Sequence, residues 1–243
     1  MRIPVAARDI PVDRLPDIDL TSHRTLALLT ALGVLLVIST RASWMVLRHV
    51  VTIAHEGGHA LVALLAGRRL SGIRLHSDTS GVTVSRGRPR GVGMILTVAA
   101  GYPAPALLGL GFAALVARGH VVALLWLAVA LLLGTLLLIR NVFGVMSVVT
   151  TGAVVFALSW YAEARVKEVF AYAATWFLLV GGLRTVGELQ RERRRRGARH
   201  GRAQSDADQL ARLTGLPGLL WVGAFAVVSV ASLLVSARWL VAL

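Results

Sequence analysis

The feature that most constrains this chain is a series of long apolar runs without charge. One of them, "ALLWLAVALLLGTLLLI", occupies residues 123–139. A helix needs about 20 such residues to cross the hydrocarbon core of a bilayer, and in lipid the backbone must satisfy its own hydrogen bonds. Apolar residues make up 56% of the 243 residues, and charged residues only 16%. We therefore predict an all-α polytopic membrane protein.

The apolar runs form about seven segments, each close to the length that a membrane-spanning helix requires. The third segment contains Pro103, Pro105 and several glycines, so we expect it to be kinked or locally unwound. We expect residues 25–243 to form one membrane domain and residues 1–24 to form a cytoplasmic tail, because this tail lacks the apolar region of a signal peptide. The predicted segments are 25–40, 45–66, 92–117, 120–139, 142–161, 169–187 and 217–241.

Three stretches between these segments have patterns of their own. Residues 70–86 alternate apolar and polar side chains on either side of "DTSG", which predicts a small cytoplasmic β-hairpin. Residues 190–203, which include "RERRRRGARHGR", predict a charged, flexible cytoplasmic linker. Ser205 followed by Asp206 is typical of a helix start, so we expect a short helix that leads into the last segment.

The distribution of arginine predicts the orientation of the chain. Arginines are concentrated in residues 1–24, 67–91 and 188–216, and cytoplasmic segments are enriched in basic residues. We therefore expect the N-terminus to be cytoplasmic and the C-terminus to be outside. The formal net charge is +14, which we interpret as loop arginine that contacts anionic lipid. We expect no nucleic-acid binding, because the sequence contains no folded basic module with a supporting motif.

The sequence "HEGGH" at residues 55–59 lies inside the second apolar segment. Ionisable groups at that depth are costly and usually functional. On a helix, His55 and His59 are one turn apart and point the same way, so both imidazoles can bind one Zn²⁺. Glu56 is then placed to take a proton from a zinc-activated water. The alternative is that these side chains only hydrogen-bond neighbouring helices and hold no metal.

A catalytic zinc site needs a third protein ligand, and the HExxH motif does not supply one. The chain contains no cysteine, and none of its other histidines is well placed by sequence alone. Three carboxylates remain: Asp78 in the hairpin turn, and Asp206 or Asp208 before the last segment. Asp78 is most simply a turn residue, and Asp206 is also a plausible helix cap. We favour the pair at 206 and 208, and the choice between them stays open at this stage.

Four blocks in this order resemble a known family: "HEGGHALVALLAGRRLSGIRLHSDTSGVT", "AAGYPAPALLG", "IRNVFG" and "SDADQLARLTGLPGLLW". They are similar to the small site-2-protease-like zinc metallopeptidases of bacterial membranes, the compact branch without a PDZ domain. The resemblance implies that His55 and His59 bind zinc, that Glu56 is the base, and that Asp206 is the third ligand, with Asp208 second. Better-known members carry their aspartate in an Asn-Pro-Asp-Gly type motif, of which this chain keeps only Asn141.

By this resemblance we expect an intramembrane zinc endopeptidase of the bacterial cell membrane that cuts a membrane-spanning protein near the cytoplasmic face. Asn141 is then expected to contact an oxyanion or a substrate strand. Gly101 and Pro103 are expected to belong to a broken segment that admits substrate and water. The main alternative is a non-catalytic membrane protein whose structural zinc site serves a scaffold or binds a partner. An ion transporter is less favoured, because neither inverted repeats nor further intramembrane carboxylates are seen.

Overall fold

The computed structural model describes residues 22–197 and 205–242. The described chain is mostly helical, as predicted, with one two-stranded antiparallel sheet. The two strands come directly after the helix that carries the HExxH motif, and all other described elements are helices. In chain order the elements are α1 (His23–Ser39), α2 (Arg41–Leu65), β1 (Arg69–Leu75), β2 (Gly81–Arg86), α3 (Val92–Ala99), α4 (Pro103–Ala117), α5 (Val121–Leu138), α6 (Val142–Tyr161), α7 (Ala164–Gly197), α8 (Asp206–Thr214) and α9 (Gly218–Val241).

The described helices include four to six candidate membrane spans. Helices α5, α6, α7 and α9 are each long and apolar enough to cross a bilayer. Helices α1 and α2 bend by 110° at their junction, and α3 and α4 by 67°, so each pair counts as at most one span. The apolar runs of the sequence therefore correspond to helices, but seven separate crossings are not confirmed. An apolar run in the sequence predicts the length of a helix but not the direction in which the helix runs.

The break between α3 and α4 is the kink expected in the third apolar segment. Helix α3 ends at Ala99, and α4 begins at Pro103, which occupies its first turn. Proline has no backbone N–H to donate to the preceding turn, so it starts a helix readily and does not continue one. Gly101 and Tyr102 therefore form the corner between the two helices.

Helices α1 and α7 run in the same direction, and this conflicts with part of the predicted orientation. His23 Nδ1 lies 2.9 Å from Glu168 Oε1 near the start of α7, and Arg184 donates to the Ile38 carbonyl at the end of α1. The arginine distribution had assigned His23 to the inside and Glu168 to the outside, and these assignments are inconsistent with the ion pair. The prediction assumed that successive segments cross the membrane in alternating directions, and this assumption fails where α1 bends into α2. Residues 1–21 of the predicted tail lie outside the described residues.

Helix α7 is longer than its apolar run. It continues through Gly197, so residues 190–197 are helical where a flexible linker was expected. Residues 198–203 of that expected linker lie outside the described residues. The extension places Arg193 on a helix that also crosses the membrane, where it can contact α8.

The predicted β-hairpin is confirmed, and it packs along α2. Asp78 has the expected turn role, since its Oδ1 accepts hydrogen bonds from the Ser80 N–H at 3.0 Å and hydroxyl at 2.6 Å. These bonds hold the pKa of Asp78 below its usual value. At the turn, Thr52 of α2 donates to the Thr79 carbonyl at 2.9 Å, and Arg48 donates to the Thr79 hydroxyl at 2.6 Å. The hairpin therefore runs back beside the HExxH motif.

A buried apolar cluster fixes the short helix α8 against the bundle. Ala207 and Leu210 of α8 are fully buried. They belong to one cluster with Val98 of α3, Val186 of α7 and Phe225 of α9. Burial of side chains such as Leu210 contributes about 1.5–3 kcal/mol each. This packing brings Asp206, at the start of α8, to the region where α2 and α3 meet.

Candidate metal centre

Three donor atoms from two distant helices converge on one point. His55 and His59 lie one turn apart on α2, and their Nε2 atoms are 3.1 Å from each other. Asp206 enters from the first turn of α8, and its Oδ2 lies 3.2 Å from each of these two nitrogens. Among the described residues, these three side chains form the one group able to hold a metal ion.

The spacing and the chemistry of these donors fit zinc. Ligand atoms at 2.0–2.1 Å from a tetrahedral zinc are about 3.3 Å apart, close to the three separations found here. Asp206 Oδ2 is buried and, despite its nearness to both imidazoles, makes no aligned hydrogen bond. A buried carboxylate oxygen without such a bond is costly, and a divalent cation held among the three donors would compensate this cost. Two imidazoles and one carboxylate leave a fourth position open, as in catalytic zinc sites.

The orientation of each imidazole is fixed by a neighbour. His59 Nδ1 lies 2.7 Å from the Thr97 carbonyl of α3 and donates its proton there, which leaves Nε2 as the lone-pair donor. The His55 ring packs edge-on against Tyr102 with ring centroids 4.7 Å apart. Tyr102 in turn stacks on Phe225 of α9 at 5.3 Å. Helix α3 therefore orients His59, and the corner that follows it supports His55.

Gly101 lies directly against the two histidines. A Cβ atom added there would lie 2.7 Å from His55 Cε1 and would overlap His59 Nε2. Any side chain at this position would displace the two imidazoles. Pro103, two residues later, lines an apolar cavity beside the helix. The substrate contacts expected of Gly101 and Pro103 remain predictions, while the contact of Gly101 with the imidazoles is a structural finding.

Glu56 faces the hairpin beside the three donors. Its side chain is buried, with 4% of the residue exposed. Its Oε2 accepts a hydrogen bond of 2.7 Å from the Thr83 hydroxyl on β2. A polar cavity of about 280 Å³ is lined by His55, Glu56 and Asp206, among others, so these three side chains border the same space. The carboxylate is therefore available to a small molecule in that space.

The two aspartates of α8 have different partners. The Ser205 hydroxyl caps the helix by accepting from the Asp208 N–H at 3.3 Å, and it donates to Asp208 Oδ2 at 2.5 Å. Asp208 Oδ1 pairs with Arg193 of α7 at 2.9 Å. Asp206 meets the two histidines instead. Asp208, the second choice from the sequence, thus ties α8 to α7.

Asn141 lies at the start of α6 and contacts the hairpin. Its Nδ2 donates to the Leu75 carbonyl at 2.7 Å, and its Oδ1 accepts from the Leu75 N–H at 3.1 Å. The neighbouring Arg140 N–H donates to the Ile73 carbonyl at 2.8 Å. The outer edge of β1 is therefore occupied, and Asn141 is not among the residues that line the small cavity. Its expected oxyanion or substrate contact stays a prediction.

Sequence reasoning missed four contributors to this region: Thr97, Thr83, Arg193 and Gly81, where an added Cβ would lie 2.6 Å from Glu56 Oε1. Thr97 acts through its backbone carbonyl, which no side-chain pattern reveals. Gly81 and Thr83 share one face of β2 because side chains alternate along a strand, so the hairpin pattern contained a usable signal. Arg193 was hidden in a run of arginines with no periodicity to distinguish it.

A second, much larger cavity lies on the other side of α2. It has a volume of about 2270 Å³ and an overwhelmingly apolar lining. Most of the lining residues come from α1, α2, α4, α5, α6 and α7. Gly57 and Gly58, inside the HExxH motif, line this cavity, so it extends to the turn of α2 that lies between His55 and His59.

A comparison with known families agrees with this geometry. The family model described as Peptidase M50B-like matches residues 26–236. The matched range includes His55, Glu56, His59 and Asp206, and it covers most of the chain. No curated protein matches significantly, and no solved structure does either.

Proposed function

This chain belongs to the Peptidase M50B-like family of intramembrane zinc metallopeptidases, and we propose that it hydrolyses a peptide bond of a membrane-spanning protein. In this proposal His55, His59 and Asp206 hold the zinc, and Glu56 is the general base. The observation that carries the proposal is the convergence of the three donor atoms at 3.1–3.2 Å, with Glu56 on the wall of the same cavity.

Each side chain has a role that follows from its chemistry. When bound, zinc polarises the scissile carbonyl and makes a water molecule more acidic. Glu56 takes a proton from the attacking water as the oxygen bonds to the carbonyl carbon. It then gives a proton to the leaving amine as the C–N bond breaks. Burial of Glu56 limits access of bulk water to this exchange.

The free edge of β2 supports a binding mode for the substrate backbone. Within residues 22–197 and 205–242, β2 pairs with β1 alone, while the outer edge of β1 is occupied by residues 139–141. An unpaired strand edge presents N–H and C=O groups that an extended peptide can join. Because Gly81 and Thr83 of β2 contact Glu56, a peptide added there would lie close to the base.

The large apolar cavity supports a membrane-spanning substrate. A substrate helix in lipid is apolar, and the cavity beside Gly57 and Gly58 is lined by apolar side chains. A Cβ at Gly58 would lie 3.0 Å from the Ala100 carbonyl, so α2 and the corner after α3 are already in close contact there. Gly57 faces open space and is where a substrate could approach α2.

The arginine distribution supports a site near the cytoplasmic face. Arg68, Arg88 and Arg90 flank the base of the hairpin, and Arg193 and Arg194 lie near the end of α7 beside α8. Basic residues favour the cytoplasmic side and attract anionic lipid there. In this proposal the end of α9 and the start of α7 face the opposite side.

The test is a Glu56→Gln variant purified beside the wild-type protein. Both are assayed for bound zinc and for cleavage of a set of tagged single-span reporter proteins in liposomes. We expect equal zinc and a loss of cleavage of at least about 100-fold, as for removal of a general base. Unchanged cleavage in Glu56→Gln, or wild-type protein that binds zinc but cleaves no reporter, would support the structural zinc site instead.

A further inference from the structure

We infer that Thr83 on the hairpin is a positioning residue for Glu56, and that Gly81 is required to leave room for the Glu56 carboxylate. This inference rests on the proposed function of Glu56 as general base. It assigns to the hairpin a part in the chemistry, in addition to any part in holding the substrate.

The contact between Thr83 and Glu56 is short and sheltered. The Thr83 hydroxyl donates to Glu56 Oε2 at 2.7 Å, and Glu56 is almost fully buried. Among the described residues, no second donor bonds this carboxylate. A hydrogen bond to one carboxylate oxygen fixes the rotation of the group, so Oε1 is left for proton exchange with the cavity.

A purely structural role for the hydroxyl is the main competing explanation. Thr83 Oγ1 also lies 3.1 Å from the Glu56 main-chain carbonyl. A hydroxyl has a single proton, however, and the carboxylate is both closer and charged. The carbonyl already has a partner, because it lies in the interior of α2 and accepts a helical hydrogen bond. The proton therefore goes to Oε2.

Gly81 reaches the same carboxylate from the same face of the strand. A Cβ at Gly81 would lie 2.6 Å from Glu56 Oε1 and 2.8 Å from Cδ. Because residues two apart on a strand share a face, Gly81 and Thr83 together form a surface shaped around the carboxylate. One residue provides space and the other provides a donor.

This arrangement links the base to the strand with the free edge. Thr83 and Gly81 belong to β2, which pairs on one side with β1 and has no strand partner on the other among the described residues. A displacement of β2 would therefore move the hydroxyl that holds Glu56. The turn at Thr79 is hydrogen-bonded to α2 through Thr52 at 2.9 Å, which limits such displacement.

The experiment compares Thr83→Val, which removes the hydroxyl at constant shape, with Thr83→Ser, which keeps it. The matched control is Thr52→Val, which removes a different hydroxyl between α2 and the hairpin. All are assayed in liposomes with the reporter that wild-type protein cleaves. We expect Thr83→Val to lower kcat by about 10–100-fold, the usual effect of residues that orient a metal site, with KM within about 2-fold. Thr83→Ser should return kcat to within about 3-fold of wild type.

A second readout does not depend on turnover. A peptidyl hydroxamate chelates zinc and passes its proton to the neighbouring carboxylate, so its Kd reports the position of Glu56. We expect this Kd to rise about 10-fold in Thr83→Val and in Gly81→Ala, with zinc content unchanged. Gly111→Ala, at an open position on α4, should bind the hydroxamate as wild type does, and Thr52→Val should raise the Kd less than Thr83→Val does.

The outcomes separate this inference from the function on which it rests. If Glu56→Gln abolishes cleavage but Thr83→Val retains wild-type kcat and hydroxamate affinity, Glu56 is the base and Thr83 does not position it. If Thr52→Val impairs kcat as much as Thr83→Val, the hydroxyl serves hairpin docking only. If Thr83→Val does not fold, wild-type hydroxamate binding by Gly81→Ala would overturn the inference. If Glu56→Gln cleaves normally, the proposed function itself fails.

Discussion

Helices α2 and α8 face the same candidate metal centre but are held there by different forces. Helix α2 has 25 residues, and its repeat alone aligns His55 with His59. Helix α8 has nine residues, and Asp206 depends on a cap, an ion pair and two buried side chains for its position. The comparison teaches that a side chain within a long helix is positioned by local geometry, whereas one on a short helix is positioned by its neighbours.

The two aspartates of α8 sharpen this comparison most. We predict that Asp206→Ala lowers zinc affinity by more than about 100-fold, because loss of a partner that only orients a ligand costs about 10–100-fold. Asp208→Ala should keep a zinc-binding site with a weaker affinity. Competition with a chelator of known affinity measures both. Equal zinc affinities in the two variants would contradict the distinction between Asp206 as a ligand and Asp208 as a support.

A substitution at the corner between α3 and α4 tests how the two histidines of α2 are held. We predict that Gly101→Ala destabilises the protein by about 1–3 kcal/mol through overpacking and displaces the histidines. Zinc affinity should fall with it, because the added methyl group overlaps His59. Gly111→Ala on α4, where a methyl group meets open space, is the control for the glycine substitution itself. Wild-type zinc affinity in Gly101→Ala would mean that the corner does not contact the ligands.

The ion pair between Arg193 and Asp208 tests the α8 side. We predict that Arg193→Gln weakens zinc binding by about 10-fold, since it loosens α8 without removing a ligand. The double variant Arg193→Gln with Asp208→Asn should be no worse than the more affected single variant, because the two residues act through one contact. Zinc affinity in this double-mutant cycle is measured by competition with a chelator. Additive losses of affinity would show that the two residues act separately.

The smallest predicted effect is that of the helix cap. Ser205→Ala removes the side-chain acceptor for the Asp208 N–H, and loss of such a cap costs about 1 kcal/mol. We expect zinc affinity to fall by about 5-fold, as part of α8 frays. Ser205→Asp should restore the affinity, because aspartate is also a good cap. Failure of Ser205→Asp to rescue would assign the effect to the hydroxyl bond with Asp208 instead.

The sequence predicts best those features that lie within one element. The long apolar runs correspond to helices, the alternation around "DTSG" corresponds to the hairpin, and "HEGGH" places two imidazoles on one face. Each of these depends on residues close together in the chain, so a repeat of 3.6 or 2 residues is enough. The helix start at Ser205 is equally local.

The sequence is least informative about the directions of the helices and about contacts between residues far apart in the chain. The bend between α1 and α2 leaves no signal in an apolar window, and the predicted alternation of sides failed at His23 and Glu168. The preference for Asp206 over Asp208 needed a resemblance, because both lie in the first turn of α8. Only the tertiary structure shows that Asp208 pairs with Arg193 while Asp206 meets the histidines.

The most direct test of the proposed zinc site is X-ray absorption spectroscopy of the purified protein together with its zinc content. We predict one zinc per chain, bound by nitrogen and oxygen only, with the outer-shell scattering of two imidazoles and a ligand distance of about 2.0–2.1 Å. The spectrum should change in Asp206→Ala and persist in Asp208→Ala. A chain that holds no stoichiometric zinc, or an unchanged zinc spectrum in Asp206→Ala, would contradict a centre formed by His55, His59 and Asp206.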